Sequence, residues 1–179
     1  MAMLYDFDWK SVIAELDLDR GDPKTPHKQF YANVDGRFNE IIDKWMSAGY
    51  DKGDSVEWIN YYPETHFSLK VINHFENWSN SQCARAWISR IRPGKMAPMH
   101  RDIDDNIEKY LSKGQLIRFS IFISEPSPGA VFILKDDVYH LQPAGTVLQW
   151  DDYLDWHAGM NAGFRDKFMF NFIGIKNDQ

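Results

Sequence analysis

From Cys83 onward apolar residues recur at every second position, and that period restricts the C-terminal half of the chain to β-structure. Five segments carry it: "CARAWISRIRP", "LIRFSIFIS", "AVFILKD", "GTVLQWD" and "KFMFNFIGIK", separated by Pro, Gly and Asp clusters. Before about residue 80 the period is helical. In "VDGRFNEIIDKWMSAGY" the residues Phe38, Ile41, Ile42, Trp45 and Met46 share one face, and Gly49 is placed as a C-terminal stop. "ETHFSLKVINHFENW" sets Phe67, Val71, Phe75 and Trp78 on another face, and "DWKSVIAELDL" predicts a shorter helix near the start. The exception is "SVEWINYY", which reads as a strand added to the sheet and ended by Pro63. Helices followed by short strands predict an α+β fold, with the helices covering one face of a sandwich or barrel. A single domain over 1–179 is expected, with helical support over about 1–80 and the β core over about 81–176.

The overall balance narrows the function classes. A chain of 179 residues with 44% hydrophobic residues can bury a core of its own, and its net charge of −6 disfavours wide contact with nucleic acid phosphates. The single cysteine, Cys83, cannot form an intramolecular disulfide, and "MAMLYDFDWK" lacks the pattern of a secretory leader. A cytoplasmic protein is expected. No apolar run approaches the ~20 residues of a membrane span. The aromatic share of 15% suits broad sheet faces or an aromatic-walled pocket.

The chemistry centres on "KMAPMHRDID". In an extended segment residues two apart point the same way, so His100 and Asp102 can converge while Arg101 faces away. A third ligand must come from elsewhere, and His157 in "DDYLDWHAGMNAG", after the strand "GTVLQWD", is the candidate. Two imidazoles and one carboxylate with open positions form the facial arrangement of non-haem Fe(II) oxygenases. The plainer reading is a polar turn, since an isolated H-x-D is common by chance. Asp151, Asp152 and Asp155 lie near His157 in sequence as candidate supporting groups, and Trp87, Trp150 and Trp156 flank the proposed site but read first as core.

Two cations are expected to face inward. In the last strand Lys167, Met169 and Asn171 alternate with Phe168, Phe170 and Phe172; the phenylalanines want the helical layer, which turns Lys167 into the barrel. An inward lysine should have a counter-charge. Arg165 is a second basic candidate just before that strand. In "LIRFSIFIS" an isoleucine-rich face leaves Arg118 and Ser120 on the inside, and a buried arginine requires an anion. The alternative sets Arg118 on a solvent face beside Asp151 or Glu125.

These segments resemble the double-stranded β-helix core of the Fe(II)/2-oxoglutarate-dependent oxygenases. "IRPGKMAPMHRD", "IRFSIFI", "AGTVLQWDDYLDWHAGMN" and "KFMFNFIGI" most resemble the aspartyl/asparaginyl β-hydroxylase branch, over roughly residues 84 to 175. The resemblance implies a jelly-roll, cupin-like core with the N-terminal helices on its larger sheet. It implies His100, Asp102 and His157 as Fe(II) ligands and Lys167, with Arg118 and Ser120, as the 2-oxoglutarate site; Arg165 stays the other basic candidate for that site. An acidic ligand at Asp102 fits the wider superfamily better than that branch, which also favours arginine at the position of Lys167. The expected partner is a small-molecule or peptide substrate. Two other readings stay open: a cupin-type metal protein or isomerase without 2-oxoglutarate, and a non-catalytic barrel that binds a protein. The stretch "IDDNIEKYLSKGQ" reads as a short helix in preference to a lid.

Overall fold

A computed structural model of the chain describes residues 3–16, 28–30, 43–44, 46–49, 56–62, 69–102, 107–150 and 152–177. The period-two segments form the strands that their alternation predicts. These are β4 (Ser81–Ile91), β6 (Leu116–Phe122), β7 (Ala130–Leu134), β9 (Thr146–Trp150) and β11 (Lys167–Lys176). Between them run β5 (Lys95–His100), β8 (Asp137–His140) and β10 (His157–Asn161). The N-terminal part adds β1 (Met3–Leu4), β2 (Lys28–Phe30) and β3 (Ile59–Tyr61).

Two antiparallel sheets result, one in the order β1-β9-β6-β11-β4-β3-β2 and the other β5-β10-β7-β8. From β4 to β11 the chain passes back and forth between them, and only the β7–β8 hairpin stays within one sheet. That winding is a double-stranded β-helix, or jelly roll. Phe122, Leu148, Trp150 and Met169 of the larger sheet pack against Phe132 and Leu134 of the smaller, forming the core between the sheets.

The outer face of the larger sheet carries the main core. Phe168, Phe170 and Phe172 of β11, Phe119 and Ile121 of β6 and Ile88 of β4 are buried there beneath α1 (Trp9–Ala14) and α2 (Leu69–Ser79). Phe75 of α2 is fully buried, with ring centroids 4.9 Å from Phe172 and 5.4 Å from Phe119. Burial of one such ring contributes roughly 1.5–3 kcal/mol. Asp8 caps α1 by accepting from the Ser11 amide at 3.2 Å. Asn80, in the left-handed region at φ 48°, turns the chain from α2 directly into β4. Gly145 lets the N-terminal segment dock. A Cβ there would lie 2.2 Å from the Tyr5 carbonyl oxygen, and the Tyr5 amide donates to the Gly145 carbonyl at 2.7 Å.

Some expectations shift in detail. Helix α2 buries Val71 and Phe75, but Trp78 stays 37% exposed at its rim, and Phe67 lies outside the described residues. Of "VDGRFNEIIDKWMSAGY" only 43–44 and 46–49 are described; Met46 is exposed, and Gly49 has the positive φ of a stop. The expected added strand is β3, between β2 and β4, and Pro63 lies outside the described residues. Strands β8 and β10 escape the alternation because "DVYH" and "HAGMN" carry too few apolar residues to show it; β10 is held instead by neighbours on both sides. In the stretch after Asp102 a short helix, α3 (Ile107–Leu111), forms as the spacing predicts. No helix among the described residues is long and apolar enough to cross a membrane.

Candidate metal centre and pocket

Strands β5 and β10 are antiparallel partners with His100 opposite His157, so the pairing itself sets the two imidazoles side by side. Their ring centroids are 4.2 Å apart. Asp102, two residues past the end of β5, turns back over both rings, with Oδ1 3.6 Å from each Nε2. One ligand atom from each of the three residues falls within 4.8 Å of the others. Backbone carbonyls fix the rings: His100 Nδ1 lies 2.5 Å from the Pro98 oxygen and His157 Nδ1 3.0 Å from the Asp155 oxygen. A protonated Nδ1 donates to each carbonyl, which leaves the Nε2 lone pairs directed at the site. Of the aspartates near His157 in sequence, Asp155 thus contributes through its backbone.

The charge states suit a cation. Burial, reinforced by the neighbouring His100, lowers the pKa of His157 to about 4, so that its ring is neutral at neutral pH. Burial by itself would raise the pKa of Asp102, but Arg118 and the two histidines outweigh it and hold the carboxyl well below its ordinary value. A neutral His157 and an ionised Asp102, with the Nε2 of His100 beside them, match the two-imidazole, one-carboxylate donor set that Fe(II) takes in a facial triad. The residues fit the metal.

Arg118 points inward from β6, as the alternation predicts, and is 2% exposed. Its Nη2 pairs with Asp102 Oδ2, its Nη1 donates to the Tyr153 carbonyl at 3.2 Å, and its guanidinium lies 3.6 Å from the Trp150 ring centroid. The contact with Asp102 is a charge pair without good hydrogen-bond geometry, since Oδ2 and the Arg118 Nε are both buried without a hydrogen-bond partner. The anion that this arginine needs is therefore a proposed metal ligand; Glu125 pairs instead with Lys10, and Asp151 lies outside the described residues. Burial lowers its pKa while Asp102 opposes the shift.

Lys167 enters the same pocket from the start of β11 and is 2% exposed. The expected counter-charge is not there: among the described residues no carboxylate pairs with it. Its Nζ donates to the Val131 carbonyl across the barrel at 2.6 Å and lies 5.2 Å from the Phe132 ring centroid. Burial pushes its pKa down to about 7. Gly159 of β10 leaves room beside it, since a Cβ there would lie 3.3 Å from Nζ and 2.7 Å from Ile91 Cδ1. Arg165 does not reach this pocket. It is exposed in the turn before β11 and borders a separate surface cavity with Trp9 and Phe168, because the chain only begins to alternate inward at Lys167.

Ser120 is fully buried and belongs to a ladder of hydrogen bonds across the inner face of the larger sheet. Trp150 Nε1 donates to Ser120 Oγ at 3.1 Å, and Ser120 Oγ donates to Asn171 Oδ1 at 2.8 Å. Asn171 Nδ2 donates to Ser89 Oγ at 3.1 Å, as does Trp87 Nε1 at 3.2 Å, and Ser89 Oγ donates to Asn60 Oδ1 at 2.8 Å. Trp58, on the same side of β3 as Asn60, stacks on His100 with centroids 5.6 Å apart and 25° between the planes. Trp58, Asn60, Ser89 and Asn171 all line the pocket. The sequence reading leaves them out of the site, although Asn171 shares a face with Lys167 and period two makes Trp58 and Asn60 neighbours on the added strand. Trp87 and Trp150 join the site's surroundings through the ladder and Arg118, whereas Trp156 is 37% exposed beneath Arg101.

No protein-family model matches the chain, and no curated protein matches it. Similar solved structures include a Pseudomonas putida prolyl-4-hydroxylase, 8% identical, at a TM-score of 0.49 over 87% of this chain and 96% of that one. A 2OG-Fe(II) oxygenase family oxidoreductase of Burkholderia pseudomallei is 13% identical, at a TM-score of 0.47 over 96% and 93% of the two chains. A cupin-2 domain of Rhodospirillum rubrum is 8% identical, at a TM-score of 0.42 over 73% and 68%.

Proposed function

We propose that the protein is an Fe(II)- and 2-oxoglutarate-dependent oxygenase that hydroxylates a small molecule or an amino acid side chain, free or in a peptide. The observation that carries this reading is a pocket with a His–Asp–His cluster facing it and, in the same cavity, a buried lysine that no carboxylate among the described residues neutralises. Bound there, Fe(II) with 2-oxoglutarate and O₂ supplies the oxidation of a substrate C–H bond, with succinate and CO₂ as the other products.

The chain's own residues have separable roles. His100, Asp102 and His157 would hold the metal, and the carbonyls of Pro98 and Asp155 keep the imidazoles oriented. Arg118 keeps Oδ2 of Asp102 engaged and leaves Oδ1 turned to the histidines. Lys167 would hold the far carboxylate of 2-oxoglutarate, which provides the counter-charge that the described residues do not. Phe132, Met169 and Ile91 keep water from the cavity wall. Placement in the aspartyl/asparaginyl β-hydroxylase branch rests on the four segments that resemble it, and Asp102 argues for the wider superfamily.

A cupin-type metal protein without 2-oxoglutarate is the second reading, favoured by the jelly roll alone. The two part at Lys167. Anaerobic addition of Fe(II) and then 2-oxoglutarate should produce the visible charge-transfer band of the chelate. His157→Ala should abolish it, and Lys167→Ala should raise the 2-oxoglutarate needed by about tenfold or more. Tight metal binding with no band would overturn the oxygenase reading and leave the cupin.

A further inference from the structure

The ladder across the inner sheet has a fixed direction, and that direction decides what its last member offers the pocket. It starts at two indole N–H groups, Trp150 and Trp87, which can only donate. Ser120 accepts from Trp150, so its proton goes to Asn171 Oδ1, which leaves the Asn171 amide nitrogen to face Ser89. The same nitrogen lies 3.4 Å from the Met169 carbonyl, a contact that suits a donor and not an oxygen. Ser89 Oγ then accepts from both Trp87 and Asn171, filling its two acceptor positions, and its one proton goes to Asn60 Oδ1. Turning the amides the other way would strand the Ser120 proton in a fully buried position and set the Asn171 oxygen against a carbonyl.

Asn60 therefore presents its Nδ2 as the free end of the ladder. The residue is 6% exposed and lines the metal pocket. Among the described residues nothing accepts from that nitrogen, and it is not one of the wholly enclosed unpartnered atoms, which are Tyr5 Oη, Asp102 Oδ2 and Arg118 Nε. It faces the cavity. Trp58, two residues earlier on the same side of β3, sets an indole face beside it, against His100.

We infer that Asn60 is a ligand-binding residue whose amide donates to a carboxylate oxygen of a molecule held beside Trp58 at the metal centre. Two molecules carry that chemistry: 2-oxoglutarate, and an organic carboxylate serving as the oxidised substrate. The inference rests on the oxygenase reading only for the first of these.

The test uses protein loaded with Zn(II), which holds the triad without oxidising anything, and calorimetric titration of two probes. The first is 2-oxoglutarate; the second is benzoate, added with 2-oxoglutarate saturating, or alone where 2-oxoglutarate does not bind. Asn60→Asp keeps the acceptor that Ser89 needs while replacing the donor with a negative charge, and Asn60→Ala removes the donor without adding charge. Both should leave Zn(II) affinity unchanged and weaken one probe by about tenfold to a hundredfold. Loss with 2-oxoglutarate assigns the donor to the co-substrate; loss with benzoate alone assigns it to the substrate. Affinities for both probes within about twofold of wild type in both variants overturn the inference, as does a wild-type protein that binds neither probe. Lys167→Met separates the two readings. If it abolishes 2-oxoglutarate binding while the Asn60 variants change nothing, the oxygenase reading stands without Asn60. If wild type binds benzoate through Asn60 but not 2-oxoglutarate, Asn60 stands and the oxygenase reading falls.

Discussion

Arg118 and Lys167 are both cations on the inner wall of one sheet, each 2% exposed, and their surroundings differ in kind. Arg118 finds its counter-charge within the protein in Asp102, and further contacts in the Tyr153 carbonyl and the face of Trp150. Lys167 has a carbonyl and an aromatic ring but, among the described residues, no charge to oppose its own. A buried charge with its counter-ion in place is part of the scaffold, whereas one held without it is set up for a ligand that brings the missing charge. The difference makes Arg118 the partner of Asp102, a proposed metal ligand, and leaves Lys167 as the cation open to a ligand.

Neutral replacement should therefore act with opposite sign at the two positions. Arg118→Met strands Asp102 beside two histidines and should cost roughly 3 kcal/mol in urea unfolding, with weaker metal binding alongside. A stability equal to wild type would show that the pair contributes little. Lys167→Met should instead stabilise the protein by about 1–3 kcal/mol at pH 6, because it removes an unpaired buried charge. The gain should depend on pH. Lys167 has its pKa lowered to about 7 in the fold against the ordinary 10.5, so between those values the unfolded chain holds a proton that the folded one has lost. Wild-type stability then rises with pH across that window relative to the variant, and the advantage of methionine shrinks. A gain that is flat from pH 6 to 10 would mean that the lysine is charged throughout.

The third expectation concerns binding. A dicarboxylate needs Lys167 protonated, so above pH 7 its affinity should fall by up to about tenfold per unit, with uptake of close to one proton per molecule bound. Calorimetry in two buffers of different ionisation heat measures that uptake. A value of zero at pH 8.5 would place the dicarboxylate elsewhere.

Much of this was legible in the sequence where a residue's role follows from its own strand. The alternation in "KFMFNFIGIK" separates the phenylalanines from Lys167, and that in "LIRFSIFIS" turns Arg118 and Ser120 inward; both hold in the fold. His100 and His157 become neighbours because β5 and β10 pair, which spacing suggests but cannot impose. Arg118's partner and the ladder were not legible, since they depend on side chains from four or five strands meeting across a sheet. Trp58 and Asn60 were hidden for a further reason: they come from a strand outside the β-helix, where nothing local marks them as pocket residues. Arg165 shows the reverse error, a basic residue near the right place in sequence whose turn faces solvent.

Strand β11 carries a consequence for folding fidelity. Lys167, Met169 and Asn171 line the candidate pocket and Phe168, Phe170 and Phe172 the hydrophobic core, so a slip of one position against β4 would exchange the two sets. Lys167 would be driven among phenylalanines and Phe168 into the pocket, and neither assembly would survive the exchange. A slip at this strand would break the pocket and the core together, so an intact pocket doubles as a report that the register is right.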